Sequence, residues 1–397
     1  MTNPAAPIDR IRRFHDDLTQ IRRDIHAHPE LGFEEHRTSD LVAAQLESFG
    51  IEVHRGIGKT GIVGVLRSGN APGSIGLRAD MDALPMEEAN GFAHRSTHAG
   101  RMHACGHDGH TTMLLGAARY LAETKNFDGT VHFIFQPAEE GLGGADAMIA
   151  DGLFQRFPCD TVFGMHNRPG MPVGEFAIRP GAMMAGGAFF DIRIIGKGAH
   201  GARPESSIDP VLTACHIATA LQSIVARNVT PADTAVLSVT QITAGSAYNV
   251  IPQQAVISGT ARTFRRDTMA LIETNMRRIA EGVAAGFGAT AEVDFRFLFA
   301  PLVNEPGETA LIADIAAEMV GEAKVDRDRG AVMGSEDFSA MLEAVPGAYI
   351  HVGNGTGGEG GCEVHNPSYD FNDAALPYGA GLLAALVERK LARLEGN

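Results

Sequence analysis

The sequence lacks the features of an exported, disulfide-bonded or membrane-spanning chain. Only four cysteines occur among its 397 residues, at Cys105, Cys159, Cys215 and Cys362. A chain of this length does not need disulfides to hold its core. There is no run of about 18 apolar residues, and the stretch from Met1 to Phe14 lacks the apolar core of a signal peptide. We therefore expect a reducing, cytoplasmic setting and no membrane partner.

Basic residues are also scarce. Lys and Arg number 33 against 48 Asp and Glu, which gives a formal net charge of −15. A nucleic acid is therefore not expected as a partner. An anionic small molecule stays compatible with this charge, because a buried pair of divalent metals can reverse the sign of the local potential.

The order of the predicted elements indicates two domains, one inserted into the other. A length of 397 residues exceeds the size at which single cores stop growing, and 44% hydrophobic residues favour a folded chain. Between residues 185 and 300, the periodicities predict strand, helix, strand, strand, helix and strand, which is the split βαβ arrangement. We therefore expect an α/β protein whose larger domain, residues 1–184 and 301–397, is interrupted by a small ferredoxin-like domain at 185–300.

The stretch from Met102 to Met113 concentrates side chains that bind metals. It holds a thiol, three imidazoles and a carboxylate, on Cys105, His103, His107, His110 and Asp108. Thiolates and neutral imidazoles suit zinc and neighbouring first-row metals, and Cys105 and His107 are close enough to share one metal. Two other interpretations stay open from this stretch alone: a His-rich surface loop, or a cysteine nucleophile with a histidine base. Asp108 is expected to cap the helix that follows.

Further residues of ligand type follow predicted strands. An Asp pair follows the strand that begins at Ser74, a Glu pair follows the strand from Thr130 to Gln136, and a histidine ends the strand that begins at Thr161. In open α/β sheets, ligands collect at the carboxyl ends of strands. Taken alone, each residue has an ordinary alternative, such as an Asp pair that begins a turn. With one later histidine, these candidates are Asp80, Asp82, Glu139, Glu140, His166 and His365.

The number of candidates suggests two metals rather than one. Eight candidate ligands suit a pair of ions that share one bridging ligand and leave a position open for water, an arrangement that hydrolyses carbonyl compounds. We expect Glu140 to bind metal and Glu139 to act as the general base. A cysteine hydrolase, with Cys105 as nucleophile and His107 or His110 as base, is the competing class. It leaves the glutamate pair and the two later histidines without a shared role.

Six motifs together resemble those of the M20 metallopeptidases. The resemblance covers nearly the whole chain and is closest to the amidohydrolase branch that includes hippurate hydrolase, the auxin amino-acid conjugate hydrolases and N-acetyl-diaminopimelate deacetylase. It implies a zinc-peptidase-like catalytic domain with a mixed central sheet, and an inserted lid and dimerisation domain. The motifs are Arg78–Pro85, Met102–His110, Gln136–Glu140, Gly164–His166, Gly196–Pro204 and Val364–Asn366.

The resemblance also implies a centre of two divalent ions, of Zn, Mn, Co or Ni. Glu139 matches the family's base, and Asp82 matches an aspartate that orients the site. Other branches carry a histidine where this chain has Asp80, so the resemblance implies no metal ligand at that position. The implied ligands are Cys105 as the bridge, His107, Glu140, His166 and His365.

Three residues of the inserted domain match positions that contact the substrate. His200 matches a histidine that stabilises the tetrahedral oxyanion, often in the partner subunit's active site, and Asn249 and Arg262 match positions that hold the substrate carboxylate. The residues alone would favour a turn histidine for His200, and for Arg262 they fit a surface ion pair equally well.

The resemblance implies an N-acyl amino acid as substrate, and a homodimer or dimer-based tetramer formed through residues 185–300. Two alternatives stay open: a dipeptidase or carboxypeptidase of the same family, and a non-catalytic binder of acyl amino acids.

Overall fold

The computed structural model describes residues 6–358 and 360–393, and the chain divides into two units. The first unit consists of Met1–Gly181, Val303–Gly330 and Asp337–Asn397, and the second of Ala182–Leu302 and Ala331–Glu336. The short segment Ala331–Glu336 joins the second unit because the Ala185 N–H donates to the carbonyl oxygens of Val332 and Gly334, at 3.0 Å each. The second unit thus interrupts the chain of the first.

An eight-stranded mixed sheet forms the centre of the first unit. Its four middle strands run parallel and are buried along almost their whole length, as expected for strands covered on both faces. Because they are parallel, their carboxyl ends lie at one edge of the sheet, which is where α/β proteins place their sites. In spatial order the strands are Glu52–Ile57, Gly61–Ser68, Gly129–Gln136, Ser74–Asp80, Thr161–Pro169, Gly347–Gly355, Phe176–Ala177 and Val325–Asp326.

The helix His107–Thr124 lies at the centre of the packing in this unit. It contacts His15–Ala27 and Leu376–Lys390, and most of its side chains, including Leu114 and Leu121, are buried. Its first turn corrects one prediction, because Asp108 does not cap it: the cap is Gly106, and Asp108 points back to Arg22 instead. The other helices of the unit are Ala6–Ile11, Arg12–Phe14, His36–Ser48, Gly144–Ala150, Leu153–Arg156, Pro306–Val320, Glu322–Lys324, Phe338–Ala344 and Asp373–Ala375.

The predicted terminal helices differ from the structure in their bounds. Apolar residues recur at helical spacing in the stretch from Ile8 to His28 and predict one helix that ends before Pro29, but the 3₁₀ turn Arg12–Phe14 divides it. The sequence also predicts a last helix from Ala374 to Leu394. In the structure this helix begins at Leu376 and ends at Lys390, and Leu394 lies outside the described residues. No helix in residues 6–358 and 360–393 is both long and apolar enough to cross a membrane.

The second unit has the predicted order of strand, helix, strand, strand, helix and strand. Its four-stranded sheet is antiparallel, and Gln254–Thr263 alternates buried with less buried residues because only one face is covered by helices. Asp209 accepts from the backbone of Val211 and Leu212 and so caps the first helix. The strands, in spatial order, and the helices are Ala235–Ala244, Gln254–Thr263, Gly186–Ile195 and Thr290–Phe299, with Pro210–Arg227 and Arg266–Gly286.

Short elements complete the second unit and its connections to the first. The strand Ala199–His200 pairs with Val250–Ile251, and Pro204–Ser206 forms a 3₁₀ turn. The strands Gly181–Met184 and Leu302–Asn304 lie where the chain passes from one unit to the other. The expected α/β class, with a mixed central sheet and an inserted split βαβ domain, is confirmed.

Candidate metal centre

The sheet edge of the first unit gathers the predicted ligands from three neighbouring strands. The strand Ser74–Asp80 ends at Asp80, and the Glu139–Glu140 pair follows Gly129–Gln136 after a short turn. His166 does not end its strand as predicted, because Thr161–Pro169 continues beyond it and stays paired with Gly347–Gly355. The side chain of His166 therefore reaches the site from within the sheet.

Two groups of donor atoms lie at this edge and share one residue. The ligand atoms of Cys105, His107 and His166 all lie within 4.8 Å of one another, and so do those of Cys105, Glu140 and His365. The Cys105 Sγ is 3.3 Å from the His166 Nε2, and the Glu140 Oε1 is 3.2 Å from the His365 Nε2. Cys105 belongs to both groups, so it has the position that a ligand shared by two metals would need.

The donor set fits divalent metals. Sulfur, imidazole nitrogen and carboxylate oxygen are the ligands that zinc and its neighbours take. The Nε2 of His107 is buried and has no hydrogen-bond partner among the described residues, although a buried polar atom is normally paired. An ion between these donors would satisfy it.

The electrostatics of the two groups favour a bound positive charge. Hydrogen bonds with Cys105 and Glu140 raise the pKa of His365 to about 10. Burial alone would lower the pKa of His107, but the Asp80 carboxylate and Cys105 raise it well above its usual value. Burial and the neighbouring Glu140 raise the pKa of the Cys105 thiol. Metal uptake must therefore displace protons from these groups.

Backbone carbonyls fix the orientation of two imidazoles. The Nδ1–H of His107 donates to the backbone oxygen of Asp82 at 2.8 Å, and that of His166 donates to the backbone oxygen of Asn167 at 2.7 Å. Because the Nδ1 of each ring donates to a carbonyl oxygen, the Nε2 of each is the nitrogen left to bind a metal.

Asp82 holds the glutamate pair by its backbone. Its Oδ1 accepts from the Glu139 N–H and its Oδ2 accepts from the Glu140 N–H, each at 3.0 Å. Asp82 is 2% exposed and Glu139 is 7% exposed, so water competes little for these bonds. This geometry supports the orienting role expected for Asp82.

Both carboxylate oxygens of Asp80 accept hydrogen bonds from other side chains. Its Oδ2 accepts from Arg78 Nη1 at 2.7 Å, and its Oδ1 accepts from the Nδ1–H of His110 at 2.6 Å. The Nε2 of His110 in turn accepts from the Asn167 N–H at 3.0 Å, so His110 is occupied as well. Asp80 and His110 lie near His107, but their oxygens and nitrogens are used to hold the strand ends. His103, also buried, has no partner for either ring nitrogen among the described residues.

Gly106 allows the two ligands on either side of it to approach the same centre. Its φ is +100°, and a Cβ at this position would lie 2.2 Å from Asn167 Oδ1 and 2.6 Å from the Tyr369 hydroxyl. Only glycine therefore fits between Cys105 and His107.

The sequence interpretation missed Asn167 and Arg22, which support this loop. Asn167 donates to the Tyr369 hydroxyl at 2.6 Å and to His110. Arg22 is fully buried, and its Nε donates to Asp108 at 2.8 Å. A polar residue inside an apolar strand was the available signal for Asn167. No feature of the sequence distinguished Arg22 from the other arginines of its predicted helix.

The predicted substrate-contacting residues lie in the second unit. The short strand pairing places Val250 opposite His200, so His200 and Asn249 are near each other, and both are exposed. The Nδ1 of His200 accepts from the Ala202 N–H at 3.0 Å. Arg262 is half-buried with its guanidinium 5.8 Å from the centre of the Phe189 ring, and it forms no ion pair among the described residues. The roles of all three stay predictions.

Comparisons with known proteins agree with this geometry. The sequence profile of peptidase family M20/M25/M40 matches residues 76–389. A hippurate hydrolase of Campylobacter jejuni is 43% identical over 384 residues, covering 97% of this chain and 99% of that protein. An N-acetylcysteine deacetylase of Bacillus subtilis is 39% identical over 378 residues, covering 94% and 97%.

A solved structure is similar over its whole length. It is a dinuclear metal-binding peptidase of the M20 family from Bacillus subtilis, with a TM-score of 0.83 and 35% identity, covering 96% of this chain and 99% of that one. With a family profile that spans most of the chain and relatives near 40% identity, this protein belongs to peptidase family M20/M25/M40.

Proposed function

We propose that the protein is a metal-dependent amidohydrolase that cleaves the amide bond of N-acyl amino acids, giving a carboxylate and a free amino acid. The observation that carries this proposal is the Glu139–Glu140 pair, fixed by Asp82 beside two donor groups that share Cys105. The two curated relatives described above, a hippurate hydrolase and an N-acetylcysteine deacetylase, are named for substrates of this class.

Five residues would hold the metals, with Cys105 between two groups of donors. When bound, a pair of divalent ions lowers the pKa of a water molecule and polarises the substrate carbonyl. Zinc suits the thiolate, whereas manganese, cobalt and nickel are compatible with the nitrogen and oxygen donors. The ligands are Cys105, His107, Glu140, His166 and His365.

Glu139 would carry the proton during hydrolysis. Its carboxylate takes a proton from the attacking water as the C–O bond forms, and gives it to the amide nitrogen as the C–N bond breaks. Because Asp82 holds the backbone N–H groups of Glu139 and Glu140, the separation of base and ligand is fixed before substrate binds.

The second unit would supply contacts to the substrate. We assign His200 to the developing oxyanion, and Asn249 and Arg262 to the substrate carboxylate. The neighbouring positions of His200 and Asn249 support this assignment, and so does a half-buried guanidinium without an ion-pair partner in the described chain. Replacing Arg262 by Met should raise KM more than it lowers kcat, because a carboxylate contact remote from the reacting bond acts mainly on binding.

We also propose a cellular setting and an oligomeric state for the protein. The four cysteines are free, which supports a reducing, cytoplasmic setting. The second unit exposes apolar residues on its edge strand and first helix, among them Val236, Ile242 and Leu212, which supports self-association through this unit. Light scattering of the purified protein should give the mass of a dimer or of a dimer-based tetramer.

The decisive test pairs two adjacent substitutions. Glu139→Gln should abolish turnover of hippurate and N-acetyl amino acids but keep the metal content, whereas Glu140→Gln should lose metal as well. Activity in Glu139→Gln would remove the proposed base.

A panel that adds indole-acetyl conjugates and dipeptides, assayed with Mn, Co or Zn, defines the substrate class, and a preference for dipeptides would favour the peptidase alternative. Cys105→Ser should lose metal; a variant that kept its full metal content but no activity would point to a cysteine nucleophile.

A further inference from the structure

Three consecutive backbone N–H groups at the glutamate pair donate to two buried carboxylates. Asp82 accepts from Glu139 and Glu140 through its two oxygens. The third, the Ala138 N–H, donates to Glu35 Oε1 at 2.8 Å. Glu35 lies 103 positions earlier in the sequence, in a segment to which no motif assigns a role.

Ala138 has a backbone conformation that needs support. Its φ is +54°, in the left-handed region that residues other than glycine rarely adopt. This angle turns the chain between the strand Gly129–Gln136 and Glu139, so it sets the direction in which the glutamate pair projects. The Ala138 carbonyl accepts from the Gly144 N–H at 3.1 Å, so both polar groups of the residue are held.

The surroundings of Glu35 are unusual for an acid. The residue is fully buried, its Oε2 accepts from Thr60 Oγ1 at 2.5 Å, and no Lys, Arg or His of the described chain forms an ion pair with it. Burial raises the pKa of Glu35 to about 7. A buried acid without a cation is costly, and its hydrogen bonds to Ala138 and Thr60 are what offset that cost.

The loop that carries Glu35 is fastened at both ends. The Ala83 N–H donates to the carbonyl oxygen of Glu30 at 2.8 Å, which ties the loop to the residue after Asp82. The Glu30 side chain accepts from the backbone of Arg37 and Thr38 at 3.0 and 2.8 Å, at the start of the helix His36–Ser48. Glu35 is therefore presented to Ala138 from a rigid support.

We propose that Glu35 is a positioning residue for the reaction: by holding the Ala138 N–H, it fixes the left-handed turn that aims Glu139 and Glu140. This proposal rests on the proposed function, in which Glu139 is the base and Glu140 a metal ligand. Asp82 and Glu35 then share one task, since one holds the peptides of the pair and the other holds the turn before them.

The test compares Glu35→Ala with Glu35→Gln in the metal-loaded protein. Glu35→Ala removes the acceptor and should lower kcat about 10- to 100-fold with little change in KM, because a small misplacement of a reacting group has this effect. Glu35→Gln should stay close to the wild type, because its amide oxygen accepts from Ala138 and its NH₂ donates to Thr60. Glu34→Ala is the matched control: it removes the neighbouring acid of the same loop, whose exposed side chain pairs with Arg101 and not with residues 138–140.

Two readouts separate positioning from general damage. Amide hydrogen exchange of the peptide that spans Ala138 to Glu140 should be faster in Glu35→Ala than in Glu34→Ala, and metal affinity should fall because Glu140 moves. Equal kcat in Glu35→Ala and Glu34→Ala would overturn the proposal, and so would a Glu35→Gln variant as impaired as Glu35→Ala. If Glu35→Ala does not fold, Thr60→Val, which releases Glu35 Oε2, should show a smaller loss of kcat, and unchanged kcat there would also overturn it.

Failure of this proposal is distinguishable from failure of the proposed function. If Glu139→Gln is inactive and Glu35→Ala is fully active, the base assignment stands and the positioning role is wrong. If Glu139→Gln is active, the proposed function itself is wrong.

Discussion

The buried acid Glu35 should make the stability of the protein depend on pH in a defined direction. Burial, and to a smaller extent Asp82, raise the pKa of Glu35 from 4.5 to about 7 in the folded chain. The folded state therefore binds a proton that the unfolded state has released between these two values. The resulting stabilisation is complete below pH 4.5 and is lost as the pH rises to 7. The difference between these two pKa values corresponds to at most about 3 kcal/mol in the free energy of unfolding.

Replacing Glu35 by Gln isolates this contribution, because glutamine resembles the protonated acid and does not titrate. The free energy of unfolding of Glu35→Gln minus that of the wild type should increase between pH 5 and 7, by up to about 3 kcal/mol, and stay level above pH 8. Urea unfolding followed by circular dichroism measures it, since the chain has no tryptophan for fluorescence. Chelator-treated protein avoids added charge from metals. A difference that is constant across this range would refute the pKa of Glu35 and the reasoning from its burial.

Three further predictions test the loop before the helix His107–Thr124 and the metals. Arg22→Met should lower the free energy of unfolding by about 3–5 kcal/mol, because it leaves buried carboxylates without their cation, whereas the more exposed Arg23→Met should cost under about 1 kcal/mol; equal thermal shifts would contradict this. Gly106→Ala should lose bound metal, measured by elemental analysis, because its Cβ collides with Asn167. Gly100→Ala, at φ +73° with no atom within 4 Å, should keep it. Chelation should abolish turnover and added Mn, Co or Zn should restore it; activity unaffected by chelation would exclude a metal mechanism.

Local patterns in the sequence predicted much of the architecture. The alternating and helical periodicities of the second unit predicted its six main elements in order, because each strand there buries one face and each helix buries one side against the sheet. The positions of Asp80 and the Glu139–Glu140 pair after apolar strands predicted the sheet edge at which they meet. The prediction depended on parallel strands having their carboxyl ends on one side.

Contacts between distant segments could not be predicted in the same way. Asp108 has the position of a helix cap, but Arg22, 86 residues away, takes its carboxylate. No motif in the sequence singled out Glu35, and only the folded chain brings it to Ala138. His166 was assigned to a strand end because the apolar run stops there, yet pairing with Gly347–Gly355 carries the strand on to Pro169. In each case the role of the residue depends on a partner that lies far away in the sequence.

The order of strands in the central sheet has a consequence for synthesis of the protein on the ribosome. The strand Gly347–Gly355 lies between Thr161–Pro169 and Phe176–Ala177 in the sheet, but it is translated after the whole second unit. His365 emerges later still. A nascent chain that has passed residue 300 carries four of the five proposed ligands and an unfinished sheet with an open edge. The second unit has all its main strands by then and can fold first, whereas the metal centre is completed only near the end of translation.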